Sequence, residues 1–112
     1  MSRWQKFTYR DFYDVPRIFV VRYDGRLLLF ESLFDEQADD YTTEYDVYLL
    51  PDLADQDFKP ISYELSLRAV RKLGVIPVRE VKFNVVRGNN RVQWREVDVE
   101  AIESWGAKQN WR

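Results

Sequence analysis

The chain has no cysteine and no histidine among its 112 residues. The first absence removes disulfides, thiolate nucleophiles and thiolate metal ligands. The second removes the commonest general base and nitrogen ligand, and with them Ser-His and Cys-His triads and zinc sites of ordinary composition. Glycine and proline are scarce, at four each. Gly25, Gly74, Gly88 and Gly106 stand far apart, so no glycine-rich loop can cradle a phosphate. No uninterrupted apolar run is longer than the four residues from Leu27 to Phe30, against the roughly 20 that span a bilayer. The leading residues carry charge with no apolar stretch behind it, unlike a secretory signal, so a cytoplasmic location is the expectation.

Lys and Arg are missing altogether from Leu27 to Phe58, a window that holds ten carboxylates: Glu31, Asp35, Glu36, Asp39, Asp40, Glu44, Asp46, Asp52, Asp55 and Asp57. The flanking segments are both basic, so the net charge of −2 hides a polarised molecule. Such a field steers association and selects partners without specifying any chemistry.

What is present suits a folded domain. Hydrophobic residues make up 46% of the chain against 32% charged, too apolar for a disordered acidic segment. A chain of this length buries roughly 65% of the surface its unfolded form exposes, enough to fold without a staple. With no repeat or Gly/Ser linker, residues 1–112 read as one α+β domain: a mainly antiparallel sheet of about five strands, one packed helix and a short C-terminal helix.

The clearest element is a hairpin. Runs 17–23 and 26–33 flank Asp24-Gly25, a dipeptide that takes the positive φ angles of a type I′ turn. The turn sets Phe19 opposite Phe30, Val21 opposite Leu28 and, on the other face, Val20 opposite Leu29. Both faces are apolar, so this pair should be covered on both sides. Residues 41–50 alternate as a strand with Glu44, Asp46 and Tyr48 outward. The polar stretches 35–40 and 51–57 read as exposed connections. Ser62 can cap a helix to Leu73, with Leu65, Ala69, Val70 and Leu73 inward and Gly74 as its stop. A strand is the competing reading, since Tyr63, Leu65, Leu67 and Ala69 also alternate. Strands 79–87 and 91–97, joined at Gly88-Asn89, set Val85 against Val92, Phe83 against Trp94, Asn84 against Gln93 and Lys82 against Arg95. Asp98 caps a helix over 99–105 that Gly106 stops.

For function, the expectation is a non-enzymatic protein-binding module, in the manner of small inhibitors or immunity proteins, using an acidic, tyrosine-containing face against a basic protein surface. Asp35, Glu36, Asp39, Asp40, Tyr41, Glu44, Asp46 and Tyr48 are its candidate residues. Tyrosine supplies contact area at small entropic cost, and carboxylates steer the encounter. No residue is singled out as catalytic or metal-binding and no cofactor is expected. The alternatives are a carboxylate-based enzyme, a domain binding a divalent cation or other ligand, or a structural or regulatory subunit; the acid spacing is not that of an EF-hand loop. Nucleic acid is disfavoured as a partner. Arg68, Arg71, Lys72, Arg79, Lys82, Arg87, Arg91 and Arg95 could line a surface, but Phe83 and Trp94 belong to the apolar face and the acidic window opposes a polyanion.

Overall fold

A computed structural model describes residues 3–109. Nine strands form: β1 (Trp4–Tyr13), β2 (Val15–Tyr23), β3 (Arg26–Glu31), β4 (Phe34–Asp35), β5 (Asp40–Tyr41), β6 (Glu44–Leu50), β7 (Arg71–Pro77), β8 (Phe83–Asn89) and β9 (Trp94–Asp98). Two helices accompany them, α1 (Asp55–Phe58) and α2 (Val99–Gln109), together with single 3-10 turns at Leu65–Arg68 and Val78–Glu80. Seven strands make one antiparallel sheet in the order β7-β6-β3-β2-β1-β9-β8, and β4-β5 make a separate small hairpin. The α+β class holds, with seven strands in the main sheet where about five were expected. The Cα radius of gyration, 13.2 Å, is that of one compact domain.

The two edge strands, β7 and β8, are consecutive in the chain and only five residues separate Pro77 from Phe83. Those residues reach at most about 20 Å, whereas the edges of a flat seven-stranded sheet lie about 29 Å apart. The sheet is therefore curled into an open barrel. Its concave face holds Phe7, Phe19, Val21, Leu28, Phe30, Tyr45, Val47, Ile76, Val81 and Val97, joined by Val99, Ile102 and Trp105 from around α2. Its convex face holds Ile18, Val20, Leu27, Leu29 and Leu50, covered by Leu53, Phe58, Ile61 and Leu65 from the connection after β6.

The first hairpin pairs as its turn dictates, with Phe19 opposite Phe30, Val20 opposite Leu29 and Val21 opposite Leu28. Asp24 and Gly25 both have positive φ, 53° and 72°. Both faces are buried, as two-sided apolar character requires.

The expected helix over 62–73 does not form. Its intended face divides between the two sides of the sheet: Leu65 and Ala69 pack on the convex cluster, Leu73 on the concave one, and Val70 is exposed. Residues 71–77 instead pair with β6, satisfying an edge that would otherwise present open backbone groups. Gly74 is no helix stop. It lies within β7 at φ +153°, and a Cβ there would sit 3.1 Å from Trp105 Cζ2.

The β8–β9 register also differs. Phe83 pairs with Val97, Gly88 with Arg95 and Asn89 with Trp94, so Lys82 does not oppose Arg95 and Asn84 does not oppose Gln93. The cause is a bulge. Asn84 Oδ1 accepts the backbone N–H groups of Val86 and Arg87 at 3.0 and 3.2 Å, pulling 84–87 out of the ladder and leaving Val85 89% exposed.

Helix α2 begins where Asp98 predicts, with Asp98 Oδ1 accepting from the Glu100 N–H at 3.0 Å and from the Arg3 N–H at 3.3 Å. It continues past Gly106, which is buried inside it, to Gln109. Trp105 Nε1 donates to the Val75 carbonyl at 3.0 Å, fastening α2 to edge strand β7. Asp98→Ala should cost about 0.5 to 2 kcal/mol, read from urea unfolding, with Asp98→Asn nearly neutral because the amide oxygen still caps. Equal losses in both variants would assign the effect to charge.

Candidate functional site

Helix α2 lies toward the end of the curl at which β1 begins, its Val99 N–H donating to the Arg3 carbonyl at 3.0 Å. The opposite end carries the β1–β2 turn at Asp14 and the β4–β5 hairpin. At this end Arg17 is 6% exposed and fully engaged. Its Nη2 meets Asp14 Oδ1 at 2.7 Å, its Nη1 donates to Ser32 Oγ at 3.0 Å and to the Thr42 carbonyl at 3.2 Å, and its Nε donates to the Tyr13 carbonyl at 3.2 Å. A buried arginine with every nitrogen occupied is a structural clamp. It ties the β1–β2 turn to the base of the β4–β5 hairpin and presents its flat face to the Tyr41 ring at 4.9 Å.

The hairpin is thereby ordered. Asp35 pairs with Asp40, and Asp35 Oδ1 accepts the Gln37 N–H at 3.0 Å. Tyr41 stacks on Tyr13 with ring centroids 5.5 Å apart and meets Phe34 edge-on at 5.4 Å. Tyr13 and Phe34 are both about half exposed, at 58% and 49%. A rigid aromatic stack thus faces solvent beside Asp35, Glu36, Asp39 and Asp40.

The acidic window separates into parts. Asp46 pairs with Lys72 at 2.9 Å, Asp52 with Arg22 at 3.5 Å, and Asp55 with both Arg22 and Lys59. Hydrogen bonding to Lys59 comes first among the causes that lower the Asp55 pKa. Asp35, Glu36, Asp39 and Asp40 have no ion pair among the described residues. Of the eight candidates, the hairpin brings together these four and Tyr41. Glu44 is exposed at the start of β6; Asp46 and Tyr48 lie further along that strand, Tyr48 half-buried against the convex cluster. Tyr45, between Glu44 and Asp46, is wholly buried with its hydroxyl donating to the Pro16 carbonyl at 2.6 Å, and burial raises its pKa.

One carboxylate pair was not legible in the sequence. Glu31 is 3% exposed and stands opposite Asp46 across β3 and β6. Burial pushes its carboxyl above the usual carboxylate range, the Asp46 charge pushes it further, and a hydrogen bond with Ser66 opposes them. Its Oε2 has no partner. The pairing depends on the β3–β6 register, which no tight turn announces. A carboxyl that prefers its proton when folded contributes stability below the ordinary Glu pKa and loses it as pH rises through the raised folded value. Glu31→Gln should therefore stabilise the protein at pH 7, because the neutral amide keeps the shape of the side chain without its buried charge or the repulsion from Asp46. The gain should shrink toward zero near pH 4, as thermal unfolding across pH will show; a destabilised variant at pH 7 would contradict it.

Among the described residues no group of three or more carboxylates is placed to hold a metal ion, and no helix is long and apolar enough to cross a membrane. Comparison with protein-family models, with curated proteins and with solved structures returns no match.

Proposed function

We propose that the protein is a non-enzymatic protein-binding module whose docking surface is the β4–β5 hairpin and the aromatic stack at its base, and whose partner presents a basic face. The observation carrying this reading is the pairing of an exposed aromatic cluster (Tyr13, Phe34, Tyr41) with four carboxylates that form no ion pair among the described residues. Aromatic anchors held in place before binding lose little entropy on contact. Unneutralised carboxylates around them attract a cationic surface and repel an anionic one. Glu44 extends the acidic rim along β6.

Affinity capture at low and high salt tests the reading, with wild type compared against a variant carrying Asp35→Asn, Glu36→Gln, Asp39→Asn and Asp40→Asn. A basic protein retained by wild type, released by salt and missed by the variant is the expected result. Capture by both, or of acidic proteins alone, would overturn it.

A further inference from the structure

A second feature lies at the hairpin end of the curl, in a cleft that shares Asp14, Val15 and Val81 with the cavity beside Tyr41. Arg95 lies two positions before the buried Val97, on the same side of β9, and pairs across the strands with the core residue Phe7. Its side chain therefore runs along the concave face, where its guanidinium lies 5.2 Å from the Phe12 ring centroid. Nη2 donates to Asn90 Oδ1. Nε is buried without a partner, and both Nε and Nη1 lie against Gly88. Nη1 has no partner among the described residues, and no carboxylate there forms an ion pair with this arginine.

The nearby acids are committed elsewhere. Glu96 is engaged by Arg87 at 3.7 Å and by the Asn84 amide at 3.1 Å. Asp14 is held by Arg17 at 2.7 Å and by the Val15 N–H at 2.8 Å. Arg95 thus brings a positive charge without an ion-pair partner among the described residues to a cleft of ≈ 420 Å³ whose walls are mainly Phe12, Val15, Pro16, Val81 and Phe83, with Asp14 and Asn84 at their margins already bonded elsewhere. A half-buried cation against apolar walls is costly until an anion joins it. The cleft is of ordinary ligand-site size and sits at a barrel mouth, where such sites recur.

We infer that this cleft binds a small monocarboxylate with an apolar body, its carboxylate on the Arg95 guanidinium and its body against Phe83 and Val81. One guanidinium suits a single negative charge better than a phosphate dianion.

Titration of the isotope-labelled full chain with octanoate and with octanol, followed by amide chemical shifts, decides the matter. Octanoate should bind at least about tenfold more tightly than octanol, because a charge-assisted hydrogen bond distinguishes them, and should move the amides of Val15, Val81, Phe83 and Arg95. Arg95→Gln should abolish that preference while leaving octanol binding unchanged. Val15→Trp, which fills the cleft from its half-exposed rim, should block both. Equal affinity for the two probes in wild type, no shifts, or shifts mapping away from these residues would overturn the inference even if the Arg95 variant fails to fold. The amides of Asp35, Glu36 and Asp39 at the hairpin tip, which do not line the cleft, should not respond, so this result and that of the capture experiment stand apart.

Discussion

Phe19→Ala is expected to cost about 3 to 5 kcal/mol of folding stability, the range for removing a buried aromatic ring. Phe19 is fully buried on the concave face. Its ring stacks on Phe30 at 4.6 Å, meets Phe7 at 4.7 Å, and takes Tyr45 and Phe83 edge-on at 5.4 and 5.5 Å. These neighbours come from β3, β1, β6 and β8, so one truncation opens a void bordered by most of the curled sheet. Rigid strands on every side leave little room for collapse, which favours the upper part of the range. Leu28→Ala, on the same face, should cost about 2 to 5 kcal/mol, and Leu67→Ala, on an exposed turn, within about 0.5 kcal/mol. Urea unfolding with an unchanged m-value is the measurement; a loss below about 1 kcal/mol for Phe19→Ala would mean that the hairpin is peripheral to the core.

The other large expected effect concerns association. Against a basic partner, neutralising Asp35, Glu36, Asp39 and Asp40 should slow the association rate by about 10- to 100-fold at low ionic strength. It should also flatten the dependence of that rate on salt. The four groups are exposed and form no ion pair among the described residues, and an amide in place of each keeps the oxygen that accepts from backbone, so the change leaves folding stability within about 0.5 kcal/mol of wild type. At high salt the Debye length falls to about 3 Å and the two proteins should converge in rate. Asp52→Asn with Asp55→Asn is the control, since Arg22 and Lys59 already neutralise those carboxylates. Identical rates and slopes for wild type and the quadruple variant would remove the hairpin charges from any role in binding.

Local signals were legible wherever one residue pair decides the geometry. Asp24-Gly25 set the first hairpin and its register, and Asp98 marked the start of α2. Signals failed where tertiary pairing overrides local pattern. Leu65, Ala69 and Leu73 fit a helical stripe, yet the open edge of β6 draws 71–77 into the sheet and sends the stripe to both of its faces. The alternation of Phe83, Val85 and Val92 concealed a bulge whose cause, the short side chain of Asn84, acts on backbone and leaves no trace in hydropathy. The acidic window was plain in the sequence. Which of its members are neutralised was not, because Lys72 and Arg22 come to Asp46 and Asp52 only through strand pairing and long-range packing.

The strand order has a consequence for how the chain reaches its folded state. β1 lies inside the sheet between β2 and β9, so one edge of β1 stays open until β9, far along the chain, arrives. Trp4 to Thr8 wait for Trp94 to Asp98 across nearly the whole chain. Early closure of the β2–β3 hairpin cannot protect that edge, and contacts of such sequence separation are formed slowly because a long loop must close first. During synthesis the half-made sheet presents Phe7 and Tyr9 on a strand without its neighbour, the state in which edge-to-edge aggregation competes with folding.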